Sequence, residues 1–596
     1  MYSSYSHCRT QLHGVEAIDY YLADSLCRHL QAQDASLLFH SIMLVSSLLR
    51  EGHGCLKLQA EAGQWHWRDE ERKGGYHFPA FVQWRNTLRE TALEPRDNQP
   101  LVFEYERLYL RRYWAFEKGV ADRLKKLMAR SFFPDRDLAI EVAGQLFPDG
   151  QPDDQQRLAV ANAMGSGFSV ISGGPGTGKT FTVTKLLAAL QRLNNHQLRI
   201  AMVAPTGKAA QRLNESVAAA KAILQKQGVL APEDLQGIPQ NAATLHRCLG
   251  VIPGRHEFRH NAANPLMFDL LLVDEASMVD LPMMYRLLQA LPHEASLILL
   301  GDPDQLPSVS AGSVLADLTP RPHPGYSAAR QQWLQQLVGS SAPMASGKDA
   351  DYLSLLTDSR RFAEKSGIGR LGAAVIAGEA EKSWDILDSK IPGLQLQKEG
   401  DLHSWLDGWI ETYYQPLLQT GDVQQAFVLL GMFRILCVTR SGPQGAEQVN
   451  EYIEAQLRRT GLICTDEKWH PGCPVMVTRN HYELDLYNGD TGLLVQHDGK
   501  LRVAFAKGDE LRYLSPLRLP SLEAVYAMTV HKTQGSEFER VALLLPENDL
   551  PLNSRELLYT GITRAKKELM IRASEAIWKK AVQRNVNRYS GLPERL

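Results

Sequence analysis

The spacing of apolar residues changes near residue 150, and this change divides the chain into regions of different predicted structure. Before that point, apolar side chains recur at helical spacing over 17–30 and 35–49. A third stretch, 101–128, combines charged, helix-forming sequence with aromatic residues at similar spacing. Residues 1–150 are therefore predicted to form a mostly helical N-terminal domain.

After residue 153, short and almost continuous apolar runs alternate with helical segments. Strands are predicted at 168–172, 198–204, 270–273 and 296–300, and in a second region at 433–439, 524–529 and 541–545. Strands that are apolar on both faces are typical of parallel sheets with helices on each side. The fold class is therefore predicted to be α/β, with two such domains, at 151–345 and at 346–461 together with 521–596.

Two shorter segments interrupt these domains. Residues 462–520 alternate short strands with Gly, Asn and Asp turns, which predicts a small antiparallel β insert. Residues 251–265 contain a predicted hairpin with Pro253–Gly254 at its bend. This hairpin combines cations with an aromatic ring, a composition used for base stacking and backbone contact, in Arg255, His256, Phe258, Arg259 and His260. A solvated loop is the alternative.

Composition limits the classes of function. The chain has 596 residues, of which 44% are hydrophobic and 22% charged, and these values exclude a disordered or fibrous protein. Lys and Arg number 65 against 67 Asp and Glu, so the formal net charge is -2. Because the chain has no overall positive field, any contact with nucleic acid must come from a local groove.

The cysteines and the N-terminus point to a cytoplasmic protein. Seven cysteines are scattered without any C-x-x-C pair, which argues against a disulfide framework and against a zinc or iron–sulfur site. The first residues lack a basic segment followed by an apolar core, so no signal peptide is expected. No apolar run approaches the length needed to span a membrane, and no membrane partner is expected.

The clearest motif is a phosphate-binding loop between a predicted strand and a predicted helix. Residues 173–180 fit G-x-x-x-x-G-K-[ST], the P-loop pattern. Backbone N–H groups of such a loop surround the bound phosphates. The loop residues predicted to do so are Gly173, Gly174, Pro175, Gly176, Thr177 and Gly178, of which only the proline has no N–H to offer. Lys179 is expected to reach the β- and γ-phosphates, and the Thr180 hydroxyl to ligate Mg²⁺. A chance glycine-rich turn is the alternative.

Two further strand ends carry candidate catalytic groups. Asp274 and Glu275 follow the apolar run 270–273, at the sheet edge where ligands of α/β proteins bind. Asp274 is expected to hold Mg²⁺, and Glu275 to act as the base for an attacking water. Gln305 follows the run 296–300, and its amide is placed to sense a γ-phosphate. Simple turns are the alternative at both places.

The order of the motifs resembles that of superfamily 1 helicases over residues 153–570. The resemblance is most specific to the RecD family, the α subunits of exodeoxyribonuclease V, through the sequences APTGKAAQRL, TLHRCLG, DEASMVD, GDPDQLPSV, TVHKTQGSEF and YTGITRAKK. It implies two RecA-like motor domains, a pin at 251–265 beside the strand-separation point, and an SH3-like module at 462–520.

The resemblance also implies roles for residues in the nucleotide site. ATP and Mg²⁺ are the implied cofactors. Gln156 is implied to read the adenine edge, Arg564 to be an arginine finger, and Arg361 to be a second γ-phosphate arginine. Gly535 and Glu537 lie in a motif implied to contact the nucleotide from the second motor domain.

A DNA track is implied in the same way. Hydroxyl and backbone groups hold phosphates without reading sequence, which suits a motor that steps over any base. The implied DNA contacts are Thr206, Thr244, His246, Phe258, Arg259, Thr529, His531 and Lys532. For His246 a core or capping role is a nearly equal alternative on the residues alone.

The implied function is that of an ATP-dependent 5′→3′ DNA helicase, the motor subunit of a RecBCD-type helicase–nuclease that processes double-strand ends for recombinational repair. Its partners would be DNA and RecB-like and RecC-like subunits in a heterotrimer, docked through residues 1–150. No nuclease is expected in this chain. A docking or regulatory ATPase subunit and a free-standing helicase of the same branch are the alternatives. Nothing in the residues themselves encodes polarity.

Overall fold

The computed structural model describes most of the chain. The described residues are 2–30, 32–69, 74–130, 135–148, 154–255, 257–340, 343–358, 366–398, 400–464, 467–507, 510–519 and 521–596. His256 of the predicted hairpin and Arg361 of the predicted nucleotide site lie outside them. Within these ranges, no helix is both long enough and apolar enough to cross a membrane.

The first motor domain is built on a parallel sheet of six strands. Their spatial order is Leu353–Leu356, Phe168–Gly173, Ser296–Gly301, Leu270–Val273, Ile200–Ala204 and Ala243–Thr244. Alternate residues of each strand enter two separate apolar cores, so that Ile298 and Leu300 face one side and Leu297 and Leu299 the other. The near-continuous apolar runs therefore arise because helices cover both faces.

Within the described residues, eight helices cover the two faces of this sheet. They are Gln155–Met164, Lys179–Leu193, Gly207–Lys226, Pro232–Gln236, Leu245–Leu249, Leu281–Ala290, Val314–Asp317 and Ala328–Val338.

The predicted boundary after residue 345 is wrong by about a dozen residues. Strand Leu353–Leu356 pairs in parallel with the P-loop strand Phe168–Gly173, with Leu353 opposite Val170. It therefore completes the first sheet instead of opening the second domain. Its four residues follow an irregular Pro-, Ser- and Gly-rich segment, so the sequence offered no periodic signal to attach them to the earlier sheet.

The second motor domain has a parallel sheet of five strands. Their order is Leu394–Gln397, Ala565–Arg572, Phe538–Leu544, Phe433–Cys437 and Ala527–Thr529. Its helices are Gly367–Ile376, Ala380–Asp388, Leu402–Trp409, Gln415–Gln419, Val423–Met432, Ala446–Arg459, Arg555–Ile562 and Glu575–Gln583, and a π-helical turn at Ile410–Tyr414 joins the third to the fourth. The predicted α/β class with two parallel domains is confirmed.

The insert in the second domain is an antiparallel sheet of five strands. Their order is Glu510–Leu514, Lys500–Lys507, Thr491–His497, Pro474–Val477 and Leu522–Ala524. The last strand extends past the predicted boundary at residue 520 and leads back into the motor sheet. The SH3-like character of this insert stays a prediction.

The N-terminal region is mostly helical but contains two small sheets. Its helices are Tyr5–Gln11, Ala17–Cys27, Ala35–Arg50, Leu58–Glu61, Phe81–Glu90, Arg111–Met128 and Arg136–Leu146. Strands Leu56–Lys57, Arg107–Leu110 and Leu101–Glu104 form one sheet, and Trp65–His66 pairs with Tyr76–His77.

The predicted helix 101–128 therefore starts ten residues too early. Residues 101–110 form a β-hairpin, and the helix begins at Arg111. Tyr105 and Glu106 at the hairpin bend both have positive φ, +50° and +58°, as a tight type I′ turn requires. Such turns favour Asn and Gly, so the sequence gave no warning of one at this place.

The end of the chain returns to the N-terminal region. The Arg595 Nε donates to Glu117 Oε1 at 2.8 Å, and the Tyr589 hydroxyl donates to Glu61 Oε1 at 2.6 Å. Residues 588–596, which the predicted boundaries placed in the second motor domain, thus form a C-terminal tail that contacts the N-terminal region.

Candidate nucleotide site and nucleic-acid groove

The P-loop lies between a buried strand and a helix, as its motif requires. Gly176 and Gly178 both have φ of +81°, a left-handed conformation in which a side chain would be strained. The Lys179 Nζ donates to the carbonyl oxygens of Gly173 at 2.5 Å and Gly174 at 3.0 Å. The lysine head therefore lies over the loop, where it meets any phosphate bound there.

Gln156 closes the other side of this loop. Its Nε2 donates to the Thr177 carbonyl oxygen at 2.9 Å, and the side chain leaves no room for a Cβ on Gly178. Gln156 is buried at the start of helix Gln155–Met164. The predicted adenine-reading residue is thus packed against the phosphate loop.

Asp274 and Glu275 form a sharp bend at the end of their strand. Glu275 has φ of +50°, a strained value for a residue with a side chain, and its backbone N–H donates to Asp274 Oδ1 at 2.9 Å. Burial, reinforced by the charge of Glu275, raises the pKa of Asp274 to about 6, while Lys179 acts in the opposite direction. A strained backbone beside a carboxylate whose pKa is raised is the combination expected at a functional position.

Gln305 and Arg564 bring the two motor domains into direct contact. The Arg564 Nη2 donates to Gln305 Oε1 at 3.0 Å, and its Nε and Nη1 donate to the carbonyl oxygens of Thr560 and Ser536, each at 3.1 Å. Only 2% of Arg564 is exposed. Burial lowers its pKa, and Glu275 and Glu537 oppose this effect.

Three further contacts across this interface were not foreseen from the sequence. The Tyr559 hydroxyl donates to Asp302 Oδ2 at 3.0 Å, and the Leu306 N–H donates to the Thr560 hydroxyl at 2.9 Å. Arg212 of the first domain pairs with Glu537 of the second at 2.9 Å. In the sequence, the residues that make these contacts were distinguished only by lying inside or beside recognised motifs.

Gly535 lies at the same interface. Its φ is +72°, and a Cβ built on it would lie 3.6 Å from Ala209. The structure therefore brings Gly535 and Glu537 against helix Gly207–Lys226 of the first domain. Two buried hydroxyls in the motifs of this interface, those of Ser277 and Ser536, have no hydrogen-bond partner within the described residues, as expected for groups that would meet a bound ligand. Thr180 and Asp274 carry oxygen atoms of the kind that Mg²⁺ prefers, so these side chains would fit ATP bound together with Mg²⁺.

Two predicted DNA contacts are helix caps at the edge of the first sheet. The Thr206 Oγ1 accepts from the Ala209 N–H at 3.2 Å, and the Thr244 Oγ1 accepts from the Arg247 N–H at 3.2 Å. A hydroxyl that accepts as a cap still has its proton to donate.

His246 and Phe258 contact each other instead of pointing apart. Their rings lie 5.8 Å apart in an edge-on arrangement, and the Arg286 guanidinium lies 5.5 Å from the Phe258 ring. Burial lowers the pKa of His246. Val251 bridges Phe258 in an antiparallel pair, and the Arg259 side chain is exposed beside it. Phe258 thus anchors the base of segment 251–265.

The remaining predicted DNA contacts follow strand Ala527–Thr529 of the second domain. Thr529 precedes a 3₁₀ turn, and burial lowers the pKa of His531 within it. The Lys532 Nζ donates to Glu523 Oε2 at 2.6 Å, so this cation is already paired.

A cleft of ≈ 660 Å³ separates the first domain from the β insert. Thr244 lines it, whereas His246, Thr529, His531 and Lys532 are not among its lining residues. The Tyr487 side chain of the insert packs on the backbone of Gly207, and its hydroxyl accepts from the Arg247 Nη1 at 3.2 Å. Neither Tyr487 nor Arg247 was foreseen, because the contact joins residues 240 positions apart.

Comparisons with known proteins agree with this geometry. Three family models match: an AAA domain at residues 156–311, a UvrD-like helicase C-terminal domain at 524–571, and the N-terminal domain of RecBCD enzyme subunit RecD at 11–109. RecBCD enzyme subunit RecD of Haemophilus influenzae is 38% identical over 542 residues, which cover 85% of this chain and 84% of that protein. The chain belongs to the RecD family.

Two more distant matches complete the comparison of this RecD chain. The ATP-dependent RecD2 DNA helicase of Deinococcus radiodurans is 29% identical over 87% of this chain but 64% of its own length. Among solved structures, Pif1 helicase from Bacteroides in complex with ADP-AlF3 and ssDNA is 16% identical, with a TM-score of 0.39, and the match covers 72% of this chain and 93% of that one.

Proposed function

We propose that this chain is the ATP-hydrolysing DNA helicase subunit of a RecBCD-type helicase–nuclease, that it uses Mg²⁺, and that it moves 5′→3′ along one strand at double-strand ends. The observation that carries the proposal is the 3.0 Å hydrogen bond from Arg564 to Gln305. It joins the second domain to the nucleotide site of the first, so the site is complete only when the two domains are closed.

The residues of the site divide the chemistry between them. Lys179 exchanges its bonds to the loop carbonyls for bonds to phosphate oxygens, because a charged acceptor competes well with a neutral one. Bound Mg²⁺, held by Thr180 and Asp274, would neutralise charge on those oxygens. Glu275 orients the attacking water and takes its proton. Gln305 and Arg564 stabilise the charge that develops on the transferred phosphoryl group.

A power stroke follows from the position of Arg564. A cation that acts from the second domain works only when the two motor domains are closed on each other. Each cycle of hydrolysis and product release would therefore close and open the gap between the motor domains. Thr206 and Thr244 on one domain and Thr529 on the other would hold DNA through hydroxyl and backbone groups. Such contacts need no basic surface, which agrees with the near-neutral charge of the chain.

Assembly with RecB-like and RecC-like subunits is supported by the family and by the N-terminal surface. Several large apolar side chains there are at least half exposed, namely Ile18, Tyr21, Trp65, Val82 and Tyr105. Exposed aromatic and aliphatic side chains favour a protein partner. A free-standing helicase is the second candidate. Co-purification decides between the two, because a chain that is active without partner subunits would favour the free-standing helicase. The family also supports a cytoplasmic location.

The test compares unwinding of duplexes with a 5′ or a 3′ overhang by the purified protein, together with any subunits that co-purify. We expect Lys179→Gln to abolish the unwinding and ATP hydrolysis that depend on this chain and to leave its folding intact. We also expect this chain to require a 5′ overhang. Near-normal turnover by the variant, or unwinding by this chain from a 3′ overhang alone, would contradict the proposal.

A further inference from the structure

Tyr559, within helix Arg555–Ile562, and Arg564, two residues past its end, both contact one loop of the first motor domain. The Tyr559 hydroxyl donates to Asp302 Oδ2 at 3.0 Å, and the Arg564 Nη2 donates to Gln305 Oε1 at 3.0 Å. Within the loop, the Gln305 Nε2 donates to Asp302 Oδ2 at 3.2 Å. The four side chains therefore form one continuous chain of hydrogen bonds that leaves the second domain and returns to it.

Tyr559 reaches the phosphate loop itself. A Cβ built on Gly174 would lie 2.8 Å from the Tyr559 hydroxyl oxygen, so the hydroxyl lies directly over the P-loop backbone. Tyr559 is 6% exposed and Asp302 1% exposed. A carboxylate this deeply buried depends on its hydrogen-bond donors, and Tyr559 is the donor that comes from the other domain.

The orientation of Gln305 depends on this arrangement. Its amide nitrogen bonds to Asp302 and its amide oxygen to Arg564, so rotating the amide would break both bonds at once. Asp302 is fixed in turn by Tyr559 and by the Asp304 N–H, which donates to Oδ1 at 3.1 Å. The position of the Tyr559 hydroxyl therefore sets the direction in which Gln305 meets the arginine finger.

We propose that Tyr559 is a positioning residue that couples closure of the motor domains to ATP hydrolysis. Its hydroxyl holds Asp302 so that the Gln305 amide presents its oxygen to Arg564. When the two motor domains move apart, the Tyr559–Asp302 and Arg564–Gln305 hydrogen bonds break together. This inference rests on the proposed function, since it concerns the same hydrolytic site, but it assigns a role that the sequence motifs did not predict.

Tyr559→Phe tests the hydroxyl alone, because the ring and its apolar contacts remain. We expect the kcat of DNA-stimulated ATP hydrolysis to fall by roughly ten-fold, as for loss of a hydrogen bond to a charged group, with the KM for ATP changed by less than about two-fold. Tyr326→Phe is the matched control, since Tyr326 is 3% exposed and its hydroxyl donates to the Leu353 carbonyl oxygen at 3.1 Å. It should retain wild-type kcat.

A double variant separates positioning from general destabilisation. Tyr559→Phe combined with Asp302→Asn should be no slower than the slower single variant, because both changes break the same chain of bonds. Additive losses, or wild-type kcat in Tyr559→Phe, would overturn the inference. The rate of ATP hydrolysis that remains in the Lys179→Gln variant is taken as the contribution of any co-purifying subunit, and it is subtracted from every other rate. If the wild-type protein shows no hydrolysis above that level, the proposed function itself fails, whatever Tyr559 does.

Discussion

Arg564 is almost fully buried, and three acceptors, Gln305 Oε1 and the carbonyl oxygens of Thr560 and Ser536, fix its guanidinium in place. A lysine at this position keeps the positive charge, but it lacks the planar set of N–H donors that lets the guanidinium bond to all three acceptors at once. We expect Arg564→Lys to lower kcat by about 10³, within the range of effects of an arginine finger. Steady-state ATP hydrolysis measures this loss.

Arg434→Lys is the control for burial. Arg434 is also 2% exposed, and it donates to the carbonyl oxygens of Val525 and Leu430 inside the second domain. Both variants should lower the melting temperature, but Arg434→Lys should hydrolyse ATP at close to the wild-type rate. A similar kcat in the two lysine variants would refute the finger assignment.

Single residues were predictable from the sequence where a motif fixes their spacing from a strand end. Lys179, Asp274, Glu275 and Gln305 each follow an apolar run by one to seven residues, so strand and chemistry were found together. Tyr559 carried no such signal, because its partner Asp302 lies 257 positions away. A hydrogen bond across two domains is a property of their docking, which local periodicity does not contain.

At the scale of elements, segment 251–265 is anchored to the first motor domain through the Phe258 ring. Phe258 is predicted to contact DNA, and its ring also packs against His246 and Arg286 at the base of the segment. We expect Phe258→Ala to lower unwinding by roughly ten-fold, because loss of a half-buried anchor ring frees the segment to move. DNA-stimulated ATP hydrolysis should stay within about two-fold of wild type, since the nucleotide site is untouched.

Measuring unwinding and hydrolysis on the same preparation distinguishes this outcome from misfolding. Val251→Ala is the control, because Val251 pairs with Phe258 but is 41% exposed and contributes less packing. It should unwind DNA at close to the wild-type rate. Loss of both activities in Phe258→Ala would show that the ring supports the motor domain and not the segment alone.

The elements that the sequence predicted well are those whose burial is complete on both faces. Strands Phe168–Gly173, Leu270–Val273 and Ser296–Gly301 match their apolar runs to within a residue. The hairpin at 101–110 was missed because its apolar and aromatic residues continue the spacing of those in the following charged helix, and its bend uses Tyr105 and Glu106 in place of glycine. Periodicity alone cannot separate such a hairpin from the first turns of a helix.

At the scale of the whole molecule, the C-terminal tail is held to the N-terminal region by ion pairs and not by an apolar core alone. Arg595 is 7% exposed and contacts both Glu117 and Glu104, and Arg107 pairs with Glu594 at 2.5 Å. Pairs that lie more than 470 positions apart leave no local pattern. The formal net charge of -2 therefore gives no sign that Arg107 and Arg595 join distant parts of the chain.

Asp317 lies where this network meets the first motor domain, and it supplies a test of the tail contact. Burial raises the pKa of Asp317 to about 8, with Glu117 and Glu594 acting in the same direction and Ser590 and Arg107 against it. The folded protein therefore binds a proton here that the unfolded chain releases near its ordinary pKa of 3.8. The resulting stability is fully present below that value and is lost as pH rises to about 8.

Asp317→Asn keeps the shape of the protonated carboxyl and cannot ionise, so its advantage over wild type should grow with pH. We expect little change in melting temperature near pH 4 and a gain of roughly 2–4 °C near pH 8, as for a domain of 150–250 residues stabilised by about 1 kcal/mol. Asp549→Asn is the control: the Arg584 guanidinium lowers the pKa of this exposed carboxyl, so its removal should give no gain at any pH. Thermal unfolding at several pH values measures both. An equal gain at acid and alkaline pH would mean that Asp317 does not hold a proton at the junction of the tail with the N-terminal region.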